Sequence, residues 1–334
     1  MEAGLPIHEQ QASLLVEAGM RSSTGLEGTR LQQEIAHRLQ YINYRRFESY
    51  WNIHLATAQH TGQLRFRPGT YWEDILARYM FDRKLRQLIF DALSRIEIAL
   101  RTRIAHDWAR ETEDDKPQRS SNHYRASFEV GDFLSTVDAY YKDNRSEEAL
   151  RDRKQYKDAR VLPIDLFVEY TTFGNIQKLL SRGIKETSGI VESIAANMGM
   201  TDDLDFFLSG ISLLKDVRNN CAHQARVWNR RWLSKKHHAI LKDSKKPLWE
   251  CRWNDLTQTW EFSSKGAKLL RRTDSTAAVL TFCYQIMKII APRSLWKERL
   301  LRIIDASGIP GKQIMKDLGF SNSHWIEHPL WQDK

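Results

Sequence analysis

The sequence is poor in the residues that disulfide and zinc chemistry require. It contains only three cysteines in 334 residues, Cys221, Cys251 and Cys283, and no two of them form a CxxC pair. An odd number of widely spaced cysteines supports neither a disulfide framework nor a zinc site. This usage fits a reducing compartment. We therefore expect no metal and no other cofactor.

Segments typical of secreted and membrane proteins are also missing. The first ten residues, MEAGLPIHEQ, have no basic segment followed by an apolar one. No apolar run is long enough to span a bilayer. We therefore expect a soluble, cytoplasmic protein with no membrane partner. The sequence also lacks a glycine-rich phosphate loop, an HExxH motif and a GxSxG motif, so the chemistries that these motifs serve are not supported.

What the sequence does have is positive charge and enough apolar residues for a core. Its 51 Lys and Arg outnumber its 42 Asp and Glu, which gives a net charge of +9. Hydrophobic residues make up 41% of the chain, and 11 are tryptophan. Such a composition indicates a folded protein, and the excess of positive charge favours a polyanionic partner.

Apolar residues recur at helical spacing along most of the chain, which predicts an all-α fold. The longest predicted helix runs from about Tyr71 to Arg110, and another begins at Pro163 and continues through Leu180. Residues 247–262 alternate around Asn254-Asp255, which predicts a small inserted β-hairpin. We divide the chain into an N-terminal helical extension (1–70), a main helical domain (71–305) and a C-terminal tail packed on that domain (306–334).

Arg218 and His223 form the main candidate site. A helical pattern leads to them and stops where a polar, basic segment begins. Arginine is a permanent cation whose planar fork suits phosphate, and histidine exchanges protons near neutral pH. Together they could bind a phosphodiester and remove the proton of a ribose 2′-hydroxyl without a metal.

The five-residue spacing is not specific by itself, because Arg101 and His106 have the same separation. In a continuous helix, side chains five residues apart point roughly 140° apart around the axis, so they could not address one phosphate. Asn219-Asn220 is expected to end or distort the helix there, since Asn tolerates the left-handed conformation. The alternative is structural: an arginine at a helix end and a histidine bonded to backbone.

Two further groups of residues carry candidate roles. Glu97 and Arg101 form an i,i+4 pair, which is either a solvated surface pair or a pair that orients Arg218 and His223. Downstream of the motif, cations interleave with tryptophan, a pattern that suits RNA but also occurs on solvated faces. The candidate RNA-binding residues are Arg226, Trp228, Arg230, Arg231, Lys235 and Lys236. Cys221 lies inside the motif and is predicted to be a small packing residue.

Several short stretches resemble one known family in their order along the chain. They are Ile42-Asn43-Tyr44 with Ser49-Tyr50-Trp51, Phe81-Asp82-Arg83-Lys84-Leu85-Arg86, Arg95-Ile96-Glu97-Ile98-Ala99-Leu100-Arg101-Thr102, Arg218-Asn219-Asn220-Cys221-Ala222-His223, and Leu318-Gly319-Phe320 with Trp325 and Pro329-Leu330-Trp331. This set resembles the Abi-like abortive-infection proteins of bacteria, the AbiD/AbiF group, within the HEPN superfamily. The resemblance runs from about residue 30 to the C-terminus.

The resemblance implies a HEPN-type helical bundle and a metal-independent endoribonuclease that acts as a toxin in phage defence. Carried over residue by residue, Arg218 and His223 become the catalytic pair, and Asn219 takes the polar position after the arginine. It also implies a homodimer and, besides the target RNA, a small noncoding RNA as antitoxin. The alternative is an RNA-binding regulatory protein, held by such an antitoxin RNA, that does not cleave. A third interpretation is a structural helical module.

Overall fold

The protein is mostly helical with one small sheet, as the sequence predicts. The computed structural model describes residues 5–56, 64–200, 203–232, 251–263 and 265–332. These residues contain thirteen α-helices and one three-stranded antiparallel sheet. None of the described helices combines the length and the apolar character that crossing a membrane requires.

Four helices form the N-terminal part: α1 (Ile7–Glu17), α2 (Gly28–Leu39), α3 (Tyr44–Trp51) and α4 (Trp72–Thr112). Helix α3 begins where the Asn43 side chain accepts a hydrogen bond from the Arg45 amide at 2.9 Å. The predicted long helix corresponds to α4, whose ends lie within two residues of the expected ones.

The middle of the chain forms α5 (Val130–Asp143), α6 (Glu147–Gln155), α7 (Ile164–Glu169), α8 (Phe173–Lys178) and α9 (Ile190–Asn197). The prediction of one helix from Pro163 through Leu180 is wrong, because α7 and α8 are separate. Two threonines lie at the break. Thr171 donates its hydroxyl hydrogen to the Phe167 carbonyl, and the Thr172 hydroxyl accepts from the Asn175 amide and caps α8. Threonine hydroxyls compete with helical backbone bonds in this way, which favours an interruption.

The last part contains α10 (Leu204–Ala222), α11 (Thr276–Ile290), α12 (Trp296–Asp305) and α13 (Gly311–Leu318). Between α10 and α11 lies the predicted hairpin.

The hairpin consists of two antiparallel strands, β1 (Cys251–Asn254) and β2 (Thr259–Phe262). They pair so that Trp253 lies opposite Trp260. A short third strand, β3 (Ala267–Lys268), pairs with the other edge of β1. The hairpin prediction is confirmed for 251–262, and its first residues, 247–250, lie outside the described residues.

The chain folds into two compact units. One comprises the described residues of 1–86 and 300–314, and the other those of 87–299 and 315–332. The boundary between the units at residue 86 falls inside α4. The division into 1–70, 71–305 and 306–334 that the sequence suggests stays a prediction. Both motif residues belong to the second unit, together with most of α4 and all of α10 and α11.

A glycine sets the spacing between α10 and α11. A Cβ atom at Gly210 would lie 1.9 Å from the Phe282 ring, so only glycine fits here without movement. Phe282 also packs against Phe206 with ring centroids 5.4 Å apart. This close contact fixes α10, and with it the residues at the end of α10.

Candidate functional site

Helix α10 positions the Arg218–His223 motif. The helix starts where the Asp203 side chain accepts from the Phe206 amide at 2.9 Å. Its inner face is buried and apolar, and this face includes Phe206, Phe207, Ile211, Leu213, Leu214, Val217 and Cys221. Burial of Cys221 agrees with its predicted packing role. The side chains on the opposite side of the last turns face solvent.

The expected distortion at Asn219-Asn220 is wrong, because α10 continues through both residues to Ala222. The Asn220 side-chain amide donates to the Asp216 carbonyl at 2.7 Å. The His223 amide still donates to the Asn219 carbonyl at 3.0 Å. The helix ends one step later, where Gln224 adopts a positive φ of 56°. The left-handed residue that closes the helix is therefore Gln224 rather than an asparagine.

This continuity separates the two motif side chains. Arg218 and His223 leave the helix roughly 140° apart, and their Cα atoms lie roughly 9 Å apart along a regular helix. Arg218 is partly exposed and His223 is exposed. Neither forms a hydrogen bond to the other. Within one chain they therefore flank a surface rather than face each other across it.

Glu97 connects α4 to the motif. Its two carboxylate oxygens contact two arginines: Oε2 lies 3.4 Å from Nε of Arg218, and Oε1 accepts from Nη2 of Arg101 at 2.8 Å. Arg101 also donates to the Thr171 carbonyl, at the break between α7 and α8, at 3.1 Å. Glu97 is only 7% exposed. The Glu97–Arg101 pair is thus beside Arg218 and is not a solvated surface pair.

The solvent side of this cluster has unused hydrogen-bonding capacity. Within the described residues, the terminal nitrogens of Arg218 and the imidazole ring of His223 have no hydrogen-bond partner. The backbone-bonded histidine of the structural alternative is therefore not observed. A second carboxylate, that of Glu169, lies 3.8 Å from Nη1 of Arg101. Of the two guanidinium groups, the one of Arg218 therefore offers its terminal nitrogens to a ligand. Guanidinium donors of this kind suit an oxyanion.

The basic segment after the motif divides into surface and core residues. The Arg226 guanidinium lies over the Trp228 ring at 5.8 Å from its centroid, and that of Arg230 over Trp232 at 5.0 Å. Trp228 is fully buried. Its prediction as an RNA contact is wrong for this structure, because a ring enclosed by protein cannot stack on a base. Lys235 and Lys236 lie outside the described residues.

Arg231 has a structural partner that the sequence did not reveal. Its Nε lies 3.1 Å from the buried carboxylate of Asp274, which also binds Arg272 at 2.8 Å. The Trp232 amide donates to the Asp274 carbonyl at 2.9 Å, and the Thr276 hydroxyl donates to the Val227 carbonyl at 2.7 Å. The segment is therefore anchored to the start of α11. The sequence gives little indication of these contacts, because the partners are more than forty residues apart.

These features define a mostly helical protein with a surface site, built from α4 and α10, that presents Arg218 and His223. The chain belongs to the Abi-like protein family: the family model matches residues 37–229. The match includes Glu97, Arg101, Arg218 and His223 and ends before Arg230. Membership points to a role in abortive infection. No curated protein and no solved structure matches the chain.

Proposed function

We propose that this protein is a metal-independent endoribonuclease of the HEPN type that acts in abortive infection. One observation carries the proposal. Arg218, held by a buried carboxylate, has terminal nitrogens without a partner among the described residues, and an exposed imidazole follows at the end of the same helix. The family membership adds the biological setting.

The chemistry requires a base and a cation. Neutral His223 takes the proton of a ribose 2′-hydroxyl, and the freed oxygen attacks the adjacent phosphorus. The bond from phosphorus to the 5′-oxygen breaks, which leaves a 2′,3′-cyclic phosphate and a 5′-hydroxyl once the leaving oxygen gains a proton. Arg218 stabilises the additional negative charge of the pentacoordinate phosphate.

The neighbouring residues have supporting roles in this scheme. Glu97 fixes the Nε side of the Arg218 guanidinium, so that its terminal nitrogens point away from the carboxylate. Arg101 holds Glu97 in place through its bond to Oε1. Asn219 is exposed beside Arg218 and offers an amide donor to the RNA.

A homodimer completes the site in this proposal. The reaction needs both a base and an acid, whereas each chain supplies one Arg218–His223 pair. Because the continuous helix keeps the two side chains roughly 140° apart, a second copy can supply the group that the first cannot bring to the same phosphate. The composite site then contains two such pairs.

RNA contacts extend along the segment after the motif. Arg226 and Arg230 pack over tryptophan rings and keep their charges near the surface, where they can contact phosphates. Arg231 is engaged by Asp274, so we expect it to contribute less. Lys235 and Lys236 belong to this proposal on charge alone. The bound RNA includes the target and a small noncoding antitoxin RNA.

Incubation of the purified protein with labelled RNA in EDTA tests the activity. We expect wild type to cleave, and His223→Ala to lose on the order of a hundredfold in rate, the usual scale for general acid–base catalysis. An RNA with 2′-deoxyribose at the scissile position should stay intact because it has no internal nucleophile. His106→Ala is the matched control: that histidine is exposed on α4 and follows Arg101 at the same spacing.

Two outcomes would contradict the proposal. Equal loss in His106→Ala and His223→Ala would show that the assay detects general damage. If wild type binds RNA but leaves it intact under every condition, and both motif substitutions only weaken binding, the protein is an RNA-binding regulator rather than a nuclease.

A further inference from the structure

Arg78, in the first compact unit, is a buried cation that has no counter-ion among the described residues. It lies on α4 and is 8% exposed. Its Nη1 donates to the Asp74 carbonyl at 2.9 Å, and its buried Nε has no hydrogen-bond partner. No carboxylate of the described residues lies within ion-pair distance. A buried guanidinium is destabilising unless an anion accepts its remaining hydrogens.

A histidine with an unused buried nitrogen belongs to the same unit. His54 ends a short 3-10 turn, Asn52–His54, and its Nε2 is buried without a partner. The next residue, Leu55, forms an antiparallel bridge with Phe66, and the His54 carbonyl accepts from the Arg67 amide at 2.9 Å. A second arginine is thereby placed directly across from His54.

The charges around His54 are predominantly positive. Burial holds the pKa of His54 below its ordinary value. The positive charges of Arg78 and, to a smaller extent, Arg67 lower this pKa further, whereas the negative charge of Asp74 raises it. Asp74 itself is exposed and gives Arg78 only its backbone carbonyl. The segment 57–63, which lies outside the described residues, reads TAQHTGQ and contains no Asp or Glu. It therefore cannot supply the missing negative charge.

Aromatic residues of the same unit form a buried cluster. The Phe47 ring contacts Trp72 and Tyr79, with centroids 5.1 and 4.9 Å apart, and Trp51 packs edge-on against Phe66. Phe47, Trp51 and Trp72 are buried. Arg78 lies on the same helix as Trp72 and Tyr79 and is itself buried. A charge-assisted hydrogen bond to a buried group is stronger than one in water.

We propose that Arg78, Arg67 and His54 form a binding site for a phosphate group, separate from the Arg218–His223 site. Arg78 supplies its unused Nε–H and the imidazole of His54 supplies a further donor, while Arg67 adds charge at the exposed side. A tetrahedral phosphate has enough oxygens to accept from all three. The source is either a free phosphate or the terminal phosphate of an RNA, and both present this chemistry. The inference does not depend on the proposed nuclease activity.

Titration of the full-length protein tests the site. The probes are inorganic phosphate, a short 5′-phosphorylated oligoribonucleotide and the same oligonucleotide with a 5′-hydroxyl. We expect phosphate to raise the melting temperature of wild type. It should also raise the pKa of His54, followed by NMR of the imidazole, because the anion neutralises Arg78 and Arg67. Tighter binding of the 5′-phosphorylated oligonucleotide than of its 5′-hydroxyl form would identify an RNA end as the source.

Three substitutions locate the effect. Arg78→Gln should abolish the phosphate-induced shift yet melt no lower than wild type in phosphate-free buffer, because it removes a buried charge that lacks a partner. Arg67→Gln should weaken phosphate binding about tenfold, the effect of one lost charge-assisted hydrogen bond. Arg83→Gln is the matched control, an exposed arginine on the same helix, and should respond as wild type does.

The inference is overturned if phosphate leaves the melting temperature and the pKa of His54 unchanged, or if Arg83→Gln lowers binding as much as Arg67→Gln does. It is also overturned if Arg78→Gln still binds phosphate with wild-type affinity. Should Arg78→Gln fail to fold, Arg67→Gln and His54→Gln decide, since both substitutions lie outside the α-helices and should each weaken phosphate binding.

Discussion

Among single residues, Glu97 has the largest consequence for the candidate site. It is buried, it contacts Arg101 and Arg218 with different oxygens, and it joins α4 to α10. Sequence spacing predicts the Glu97–Arg101 pair, because i,i+4 partners share a helix face. It does not predict the third contact, since Glu97 and Arg218 are more than a hundred residues apart. That contact depends on how α10 packs.

Replacement of Glu97 by glutamine separates positioning from folding. Glu97→Gln keeps the shape but removes the charge that fixes Arg218, so we expect RNA cleavage at saturating substrate to fall on the order of tenfold or more. The free energy of unfolding should fall by only about 1–3 kcal/mol, because glutamine still accepts hydrogen bonds. Single-turnover cleavage rates and thermal melts measure the two effects.

Asp91→Asn is the control for Glu97→Gln. Asp91 lies on the same helix and in the same unit, and it pairs with Arg95 and Arg299 rather than with Arg218. Its substitution should lower stability without lowering the cleavage rate. If both variants lose activity in proportion to their stability, Glu97 has only a structural role.

At the scale of elements, sequence periodicity predicts helices more reliably than their interruptions. The spacing of Leu85, Ile89, Ile96 and Leu100 predicts α4 almost to its ends, since each is buried. The same reasoning fails at Thr171-Thr172, where side-chain hydroxyls end one helix and cap the next. It also fails at Asn219-Asn220, where asparagine sits in a regular helix. Local hydrogen bonds determine whether a helix continues or stops at these positions, and the spacing of apolar residues carries no information about such bonds.

Gly210 tests the contact that fixes α10. In an exposed helix Gly→Ala stabilises by about 1 kcal/mol, but here the added methyl group would collide with Phe282. We expect Gly210→Ala to be destabilising on balance, since overpacking usually costs about 1–3 kcal/mol. A lower melting temperature would show this, and Phe282→Leu in the same chain should recover part of the loss.

The matched control is Gly131→Ala, near the start of α5, where an added Cβ meets nothing within 4 Å. This variant should melt at or slightly above the temperature of wild type. If Gly210→Ala melts as Gly131→Ala does, α10 and α11 can move apart easily, and the close packing does not fix the motif.

At the scale of the whole molecule, composition predicts a folded basic protein, and the ordered short motifs predict its family. Neither predicts which cations are available to a partner. Arg231 looks equivalent to Arg230 in the sequence, yet it is paired with Asp274 from a distant part of the chain. Trp228 likewise reads as a surface aromatic beside arginines but is buried. Such pairings depend on tertiary contacts, which a single sequence does not reveal.

The proposed dimer gives a prediction at this scale. Arg218→Ala and His223→Ala should each abolish cleavage when the variant is the only chain present. Dimers that contain one chain of each variant should regain part of the activity, because such a dimer retains one Arg218 and one His223. Sedimentation velocity should find the mass of two chains. Full activity in a protein that sediments as a single chain would contradict the composite site.

The hydrogen bond from the Trp232 amide to the Asp274 carbonyl has a consequence for how such chains diverge in evolution. Trp232 and Asp274 are neighbours in the structure although they lie far apart in the sequence, and the family match ends at residue 229, just before Trp232. Where two ends already meet, doubling the number of residues between them changes the closure free energy by only about 0.6 kcal/mol. Relatives can therefore differ in the number of residues between these two positions while α10 and its motif stay under separate selection, as long as Trp253, Trp260 and Leu270 keep their contacts with the C-terminal residues.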